Sequence, residues 1–129
     1  MGDGAPRVRV LVAFEDLRRV YRETIAMALA DLRPAIEVRP VSLAELGPEL
    51  RRFDPHVVVC SRPGGEYPGG RGAWVEIPTD DEATYDKRLA QVCLDGEHWE
   101  TEGPSLAELL AVLDRTQERL REGGLTETC

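Results

Sequence analysis

With 129 residues, the chain has the length of one domain, enough to bury roughly two thirds of the surface that its unfolded form exposes. No apolar run approaches the ~20 residues that cross a bilayer, and the start lacks the basic head and apolar centre of a signal peptide, so a cytoplasmic protein with no membrane partner is expected. The net charge of −8 is uneven: residues 1–72 carry 11 basic and 10 acidic groups, residues 73–129 carry 5 and 14, a second half that repels phosphate backbones and excludes nucleic acid as its partner.

The first element, VRVLVA at 8–13, is β-branched and nearly unbroken, as expected of a central strand covered on both faces. Leu17, Tyr21, Ile25, Ala28, Leu29 and Leu32 then recur at helical spacing with Arg18, Arg19, Arg22 and Glu23 falling elsewhere. This pattern predicts an amphipathic helix with Asp16 as N-cap, stopped by Pro34. A short strand over 36–41 follows, and Ser42-Leu43-Ala44-Glu45 has the pattern of a capping box that opens a second helix. Gly47-Pro48 is expected to break or restart that helix. A third strand runs over 56–60, introduced by Asp54-Pro55 and closed by the Arg62-Pro63-Gly64-Gly65 turn.

The segment SRPGGEYPGGRG cannot propagate a helix, so no helix is expected between the third strand and the next. Residues 73–77 alternate, which predicts a strand nearer an edge that packs through Ala73, Val75 and Ile77 and leaves its other face partly wet. Runs at 89–94 and 97–101 flank Asp95-Gly96, the dipeptide suited to a type I′ turn, and predict a β-hairpin. Pro104-Ser105-Leu106-Ala107-Glu108 is a second capping-box pattern. It opens a helix with Leu106, Leu109, Leu110, Leu113 and Leu120 on one stripe, ending before Gly123-Gly124.

VRVLVAFED at 8–16 and DPHVVVCSRPGG at 54–65 together resemble the response-regulator receiver family over about residues 7–63. The resemblance implies an α/β, flavodoxin-like three-layer sandwich, here with a receiver-like first half and a modified second half carrying a β-hairpin and a C-terminal helix. In that family the first strand ends in an acidic pair that holds Mg²⁺, and the third ends in the aspartate that accepts a phosphoryl group. The matching positions here are Phe14, Glu15 and Ser61. Thr79 matches the family's switch hydroxyl, and no lysine matches its fifth-strand lysine, since Lys87 precedes a strand and is followed by Arg88. The resemblance therefore implies the fold without aspartyl-phosphate chemistry: a non-enzymatic pseudo-receiver that acts as a phosphorylation-independent protein-interaction or signalling module.

Other chemistry is thinly represented. Segment 61–72 is rich enough in glycine to wrap an anion, with Arg62 and Arg71 adding charge, but it lacks GxxxxGK[ST], and a plain loop is the expected use. His56 and His98 have no ligand-spaced companions, and Asp80-Asp81-Glu82 lacks the EF-hand ligand order. No metal or cofactor is expected. Cys60, Cys93 and Cys129 show no CxxC spacing and are expected as free thiols. Trp74 and Trp99 are expected to pack in the core or on the sheet, with contact between them or a contact surface as alternatives. Arg18, Arg19 and Arg22 with Arg51 and Arg52 form the one basic grouping, expected as a solvated face, with an acidic surface, including that of a second copy of the chain, as the alternative it would meet. The alternative function is a small-molecule or anion site at the carboxyl ends of strands one and three, where Glu15, Asp16, Ser61, Arg62 and Thr79 converge, with Glu15 as base and Arg62 as anion contact.

Overall fold

A computed structural model describes residues 7–61, 73–77, 90–102 and 105–123. It contains strands β1 (Arg9–Phe14), β2 (Glu37–Ser42), β3 (Val57–Ser61), β4 (Ala73–Ile77), β5 (Ala90–Leu94) and β6 (Glu97–Thr101), with helices α1 (Arg19–Leu32), α2 (Leu46–Arg52) and α3 (Leu106–Arg121). The strands form one mixed sheet in the order β2-β1-β3-β4-β5-β6. The first four run parallel, and β5 and β6 are each antiparallel to the strand before.

Strand alternation divides the core into two. Val10, Val12, Phe14, Val57, Val59, Ala73, Val75, Ile77, Val92 and Leu94 face one side, where Ile25 and Leu29 of α1 and Leu109, Val112 and Leu113 of α3 close over them. Leu11, Ala13, Val58, Cys60, Trp74 and Cys93 face the other, against Leu46 and Leu50 of α2. Helices thus lie on both sides of an interior sheet, the arrangement that buries β1 and β3 on both faces. No helix among the described residues is long and apolar enough to cross a membrane.

Three local expectations hold in detail. Asp95 (φ 51°) and Gly96 (φ 91°) both take the left-handed backbone of a type I′ turn and join β5 to β6. Ser105 Oγ accepts a hydrogen bond from the Glu108 amide at 3.2 Å, and Glu108 Oε1 accepts one from the Ser105 amide at 3.2 Å, completing the α3 capping box. α1 ends at Leu32, before Pro34.

Elsewhere the structure corrects the sequence reading. Strand β4 is not near an edge: it lies between β3 and β5 and is buried along its whole length, Trp74 and Glu76 included. Asp16 does not cap α1; it opens a single 3-10 turn, and its carboxylate turns to Arg22 instead. Ser42 makes no cap either, because Leu43–Glu45 is also a 3-10 turn and α2 starts one residue later, with Pro48 in its first turn, where a missing N–H costs nothing. Leu17, expected on the helix stripe, lies in the 3-10 turn before α1 and is 95% exposed, while Arg22 of α1 is buried, as are Ile25 and Leu29. Cys60 is a free thiol as expected, but Cys93 is disulfide-bonded. Trp74 and Trp99 sit on opposite faces of the sheet. Trp74 meets His98 edge-on instead, with ring centroids 5.8 Å apart. The glycine-rich segment from Arg62 onward, the expected absence of a helix there, Thr79 and the acidic Asp80-Asp81-Glu82 cluster lie outside the described residues.

Candidate functional site

Open parallel sheets concentrate ligand chemistry at the carboxyl ends of their strands, and β1, β2, β3 and β4 all end on the same side here. At that end β1 finishes with Phe14, which is wholly buried. Glu15 follows in extended backbone and is exposed, as is Asp16. Ser61 closes β3 in register with Ile77 of β4. It is 1% exposed, and its Oγ has no hydrogen-bond partner. The sheet therefore turns the Ser61 hydroxyl inward while Glu15 and Asp16 point to water. Arg62, the residue after β3, and Thr79, two residues after β4, lie outside the described residues.

The group that organises this end is one the sequence reading placed on the wet face of α1. Arg22, 8% exposed, reaches back from the second turn of α1. Its Nη1 donates to the Phe14 carbonyl at 3.0 Å and the Val41 carbonyl at 3.3 Å, and lies 3.4 Å from Asp16 Oδ1. One guanidinium thus joins the last residue of β1 to the penultimate residue of β2. The signal was present: Arg22, Ile25 and Leu29 are spaced three and four apart, on one helix face.

On the opposite side of the sheet, register places Cys60 beside Glu76, Glu76 beside Gln91 and Gln91 beside Glu100. Gln91 Nε2 donates to Glu100 Oε2 at 2.8 Å, and Glu76 is 1% exposed. Burial first, and the Glu76 charge second, push the Cys60 thiol up to about 12. Only the thiolate is nucleophilic, so Cys60 is expected to stay unreactive toward an aromatic disulfide reagent at pH 8 in the folded protein and to react once urea unfolds it. Fast labelling of the native protein would show that the thiol is accessible and ionised. Cys93 and His98 are register partners, but a sulfur already in a disulfide is no thiolate ligand. Among the described residues no group of three or more His, Cys, Asp or Glu side chains could hold a metal ion.

Several arginines of the first half are engaged by neighbouring groups. Arg19 lies 3.4 Å from Glu23, Arg22 is buried, and Arg52 and Arg39 each lie 3.0 Å from the buried Glu49 carboxylate. Within the basic grouping, Arg19, Arg22 and Arg52 thus face carboxylates. Alongside its exposed polar residues α1 presents Val20 and Met27, 80% and 66% exposed, and Leu17 in the 3-10 turn before it is 95% exposed.

Ser61 itself gives a direct test of the geometry. A buried hydroxyl without a partner costs about 1–3 kcal/mol in lost hydration. Ser61→Ala, which removes only that oxygen, is expected to leave stability unchanged or raise it by about 1 kcal/mol in urea titration. A clear loss of stability would mean that the hydroxyl is hydrogen-bonded after all.

Comparison with models of known protein families, with curated proteins and with solved structures finds no match.

Proposed function

We propose that the chain is a receiver-like, flavodoxin-like α/β domain that takes part in no phosphoryl transfer and acts as a protein-interaction or signalling module, docking a helix of a partner protein on the outer face of α1. The observation that carries this reading is the exposed apolar pair Val20 and Met27 on α1, with Leu17 exposed in the 3-10 turn before it. Single exposed apolar residues are ordinary, whereas a pair seven residues apart lies two turns along one helix face, the spacing of a helix–helix seam. The β2-β1-β3-β4 order of parallel strands supports the receiver-like scaffold. Phe14 and a buried Ser61 in place of the family's carboxylates, with Arg22 on the β1 and β2 carbonyls, support a fixed carboxyl end in place of a phosphate-driven switch.

Because Arg19 and Arg22 already face Glu23 and Asp16, charge contributes little to this surface. Capture of the partner by the folded chain is therefore expected to persist from about 50 to about 500 mM salt, over which exposed charges are screened. It is expected to be lost in the Leu17→Glu/Val20→Glu double variant, whose positions are too exposed to disturb the fold. Incubation with acetyl phosphate and Mg²⁺ is expected to add no phosphoryl mass. Retention of the partner by the double variant, or a phosphorylated carboxylate, would overturn the proposal. A doubled solution mass that the double variant loses would replace the partner protein with a second copy of the chain.

A further inference from the structure

A separate cleft opens between α3 and the antiparallel end of the sheet. Its floor is one cross-strand row, Val75, Val92 and Trp99, paired in register across β4, β5 and β6. Its roof is Leu109, Val112 and Ala111 of α3, with Glu108 and Arg115 at the rim, and it encloses about 240 Å³.

Polar ties fix α3 along its length. Arg119 pairs with Asp95 in the hairpin turn. Arg33 holds Asp114 through two bonds of 2.8 Å, fixing α3 to the end of α1. Thr101 Oγ1 donates to Glu108 Oε2 at 2.8 Å. These contacts span the first turn, the middle and the last turn of the helix, so the cleft is preformed and binding has little ordering entropy to overcome.

We propose that this cleft binds a small aromatic carboxylic acid, with its ring against the half-buried Trp99 indole and Ala111 and its carboxylate on Arg115. An apolar cavity of about 150 Å³ is enough for benzene, so the space here accepts one ring with a short acid side chain. The rim is electrostatically one-sided. Both Glu108 oxygens are engaged, one by the Ser105 amide and one by Thr101, which fixes a negative charge at one edge and turns an anion away from it. At the other edge the Arg115 guanidinium lies 5.4 Å from the Trp99 ring centroid and 3.2 Å from Glu97 Oε1. Stacking on the indole holds the planar fork in place, and the exposed Glu97 pair is weak enough for a ligand carboxylate to displace.

Calorimetric titration of the intact chain with phenylacetate and with its neutral amide tests this. The acid is expected to bind about tenfold tighter than the amide, one charge-assisted contact over a neutral one. In Arg115→Gln that preference is expected to vanish while the amide binds as before. In Ala111→Trp, at an exposed position at the mouth, both ligands are expected to be lost with the melting temperature kept. No binding of the acid at millimolar concentration overturns the proposal, as does equal binding of acid and amide by the unmodified chain, or binding undiminished in Ala111→Trp. None of these results bears on the α1 face.

Discussion

Phe14→Ala is expected to lower the free energy of unfolding by about 3–5 kcal/mol, the usual cost of emptying a phenylalanine site in a close-packed core. Phe14 is fully buried at the carboxyl end of β1, on the face covered by α1 and α3. Its ring meets Tyr21 edge-on, with centroids 5.3 Å apart and planes at 78°, a contact that adds to its area burial. Tyr21 belongs to α1, so this ring also helps to seat the helix whose outer face is proposed to dock. Phe14→Asp, which would restore an acid where the receiver family has one, is expected to be at least as damaging. It would place a carboxylate among Val12, Ile25 and Val59, and a charge buried without a partner is costlier than a void. Urea denaturation followed by circular dichroism measures both. A loss below about 1 kcal/mol for Phe14→Ala would show that the site collapses freely or is not packed as described.

Arg22→Met is the second large effect, expected at about 3 kcal/mol, and about 10 °C in melting temperature for a chain of this length. Methionine keeps the unbranched stem but leaves the Phe14 and Val41 carbonyls, now joined by Nη1, buried without a donor. The loss should hardly change with added salt, because the guanidinium is shielded from solvent. Arg22→Lys is expected to fall between the unmodified chain and Arg22→Met, since the ammonium can donate to a carbonyl but sits on a shorter side chain than Nη1. Equal stability of the Met and Lys variants would mean that the charge-assisted bonds contribute little and that the stem alone matters. A milder pH effect belongs to the α1–α3 tie. The hydrogen bonds from Arg33 hold the Asp114 carboxyl below its ordinary value, so its contribution is present above the unfolded-state carboxylate range and is lost as pH falls through the lowered folded-state value.

The elements legible in the sequence are those whose signal and response lie within a few residues. Asp95-Gly96 tolerates positive φ and so makes the hairpin; Ser105 and Glu108 satisfy each other's amides and so start α3; the unbroken VRVLVA run makes an interior strand. The same kind of signal failed at Ser42 and Glu45, where the chain forms a 3-10 turn before Pro48 lets α2 begin. Part of the candidate site was legible as well. Phe14 and Ser61 set the expectation against phosphoryl chemistry before any geometry was known, while Glu15 kept the family's acid. Which way Ser61 points was not legible, because that depends on strand parity relative to α1 and α3.

Burial depends on what lies alongside, and those neighbours come from distant sequence. Strand β4 reads as half-wet in isolation, yet β3 and β5 enclose it and both its faces are covered, so Trp74 and Glu76 go inside. Arg22 reads as a solvated charge among arginines, yet it is met by carbonyls 8 and 19 residues away, a match that exists only once β1 and β2 are side by side. Its withdrawal from the surface, with Glu23 facing Arg19, leaves Val20 and Met27 exposed on a helix whose composition suggested a basic face. The cleft beside α3 arises in the same way, from residues of three strands and one helix that no local pattern connects. Turns, caps and the strand-forming run were thus determined by the sequence itself, through backbone preferences that act within about one turn. Which side chains face water, and so what the surfaces can bind, was decided only by tertiary packing, because hydration is lost or kept according to partners far along the chain.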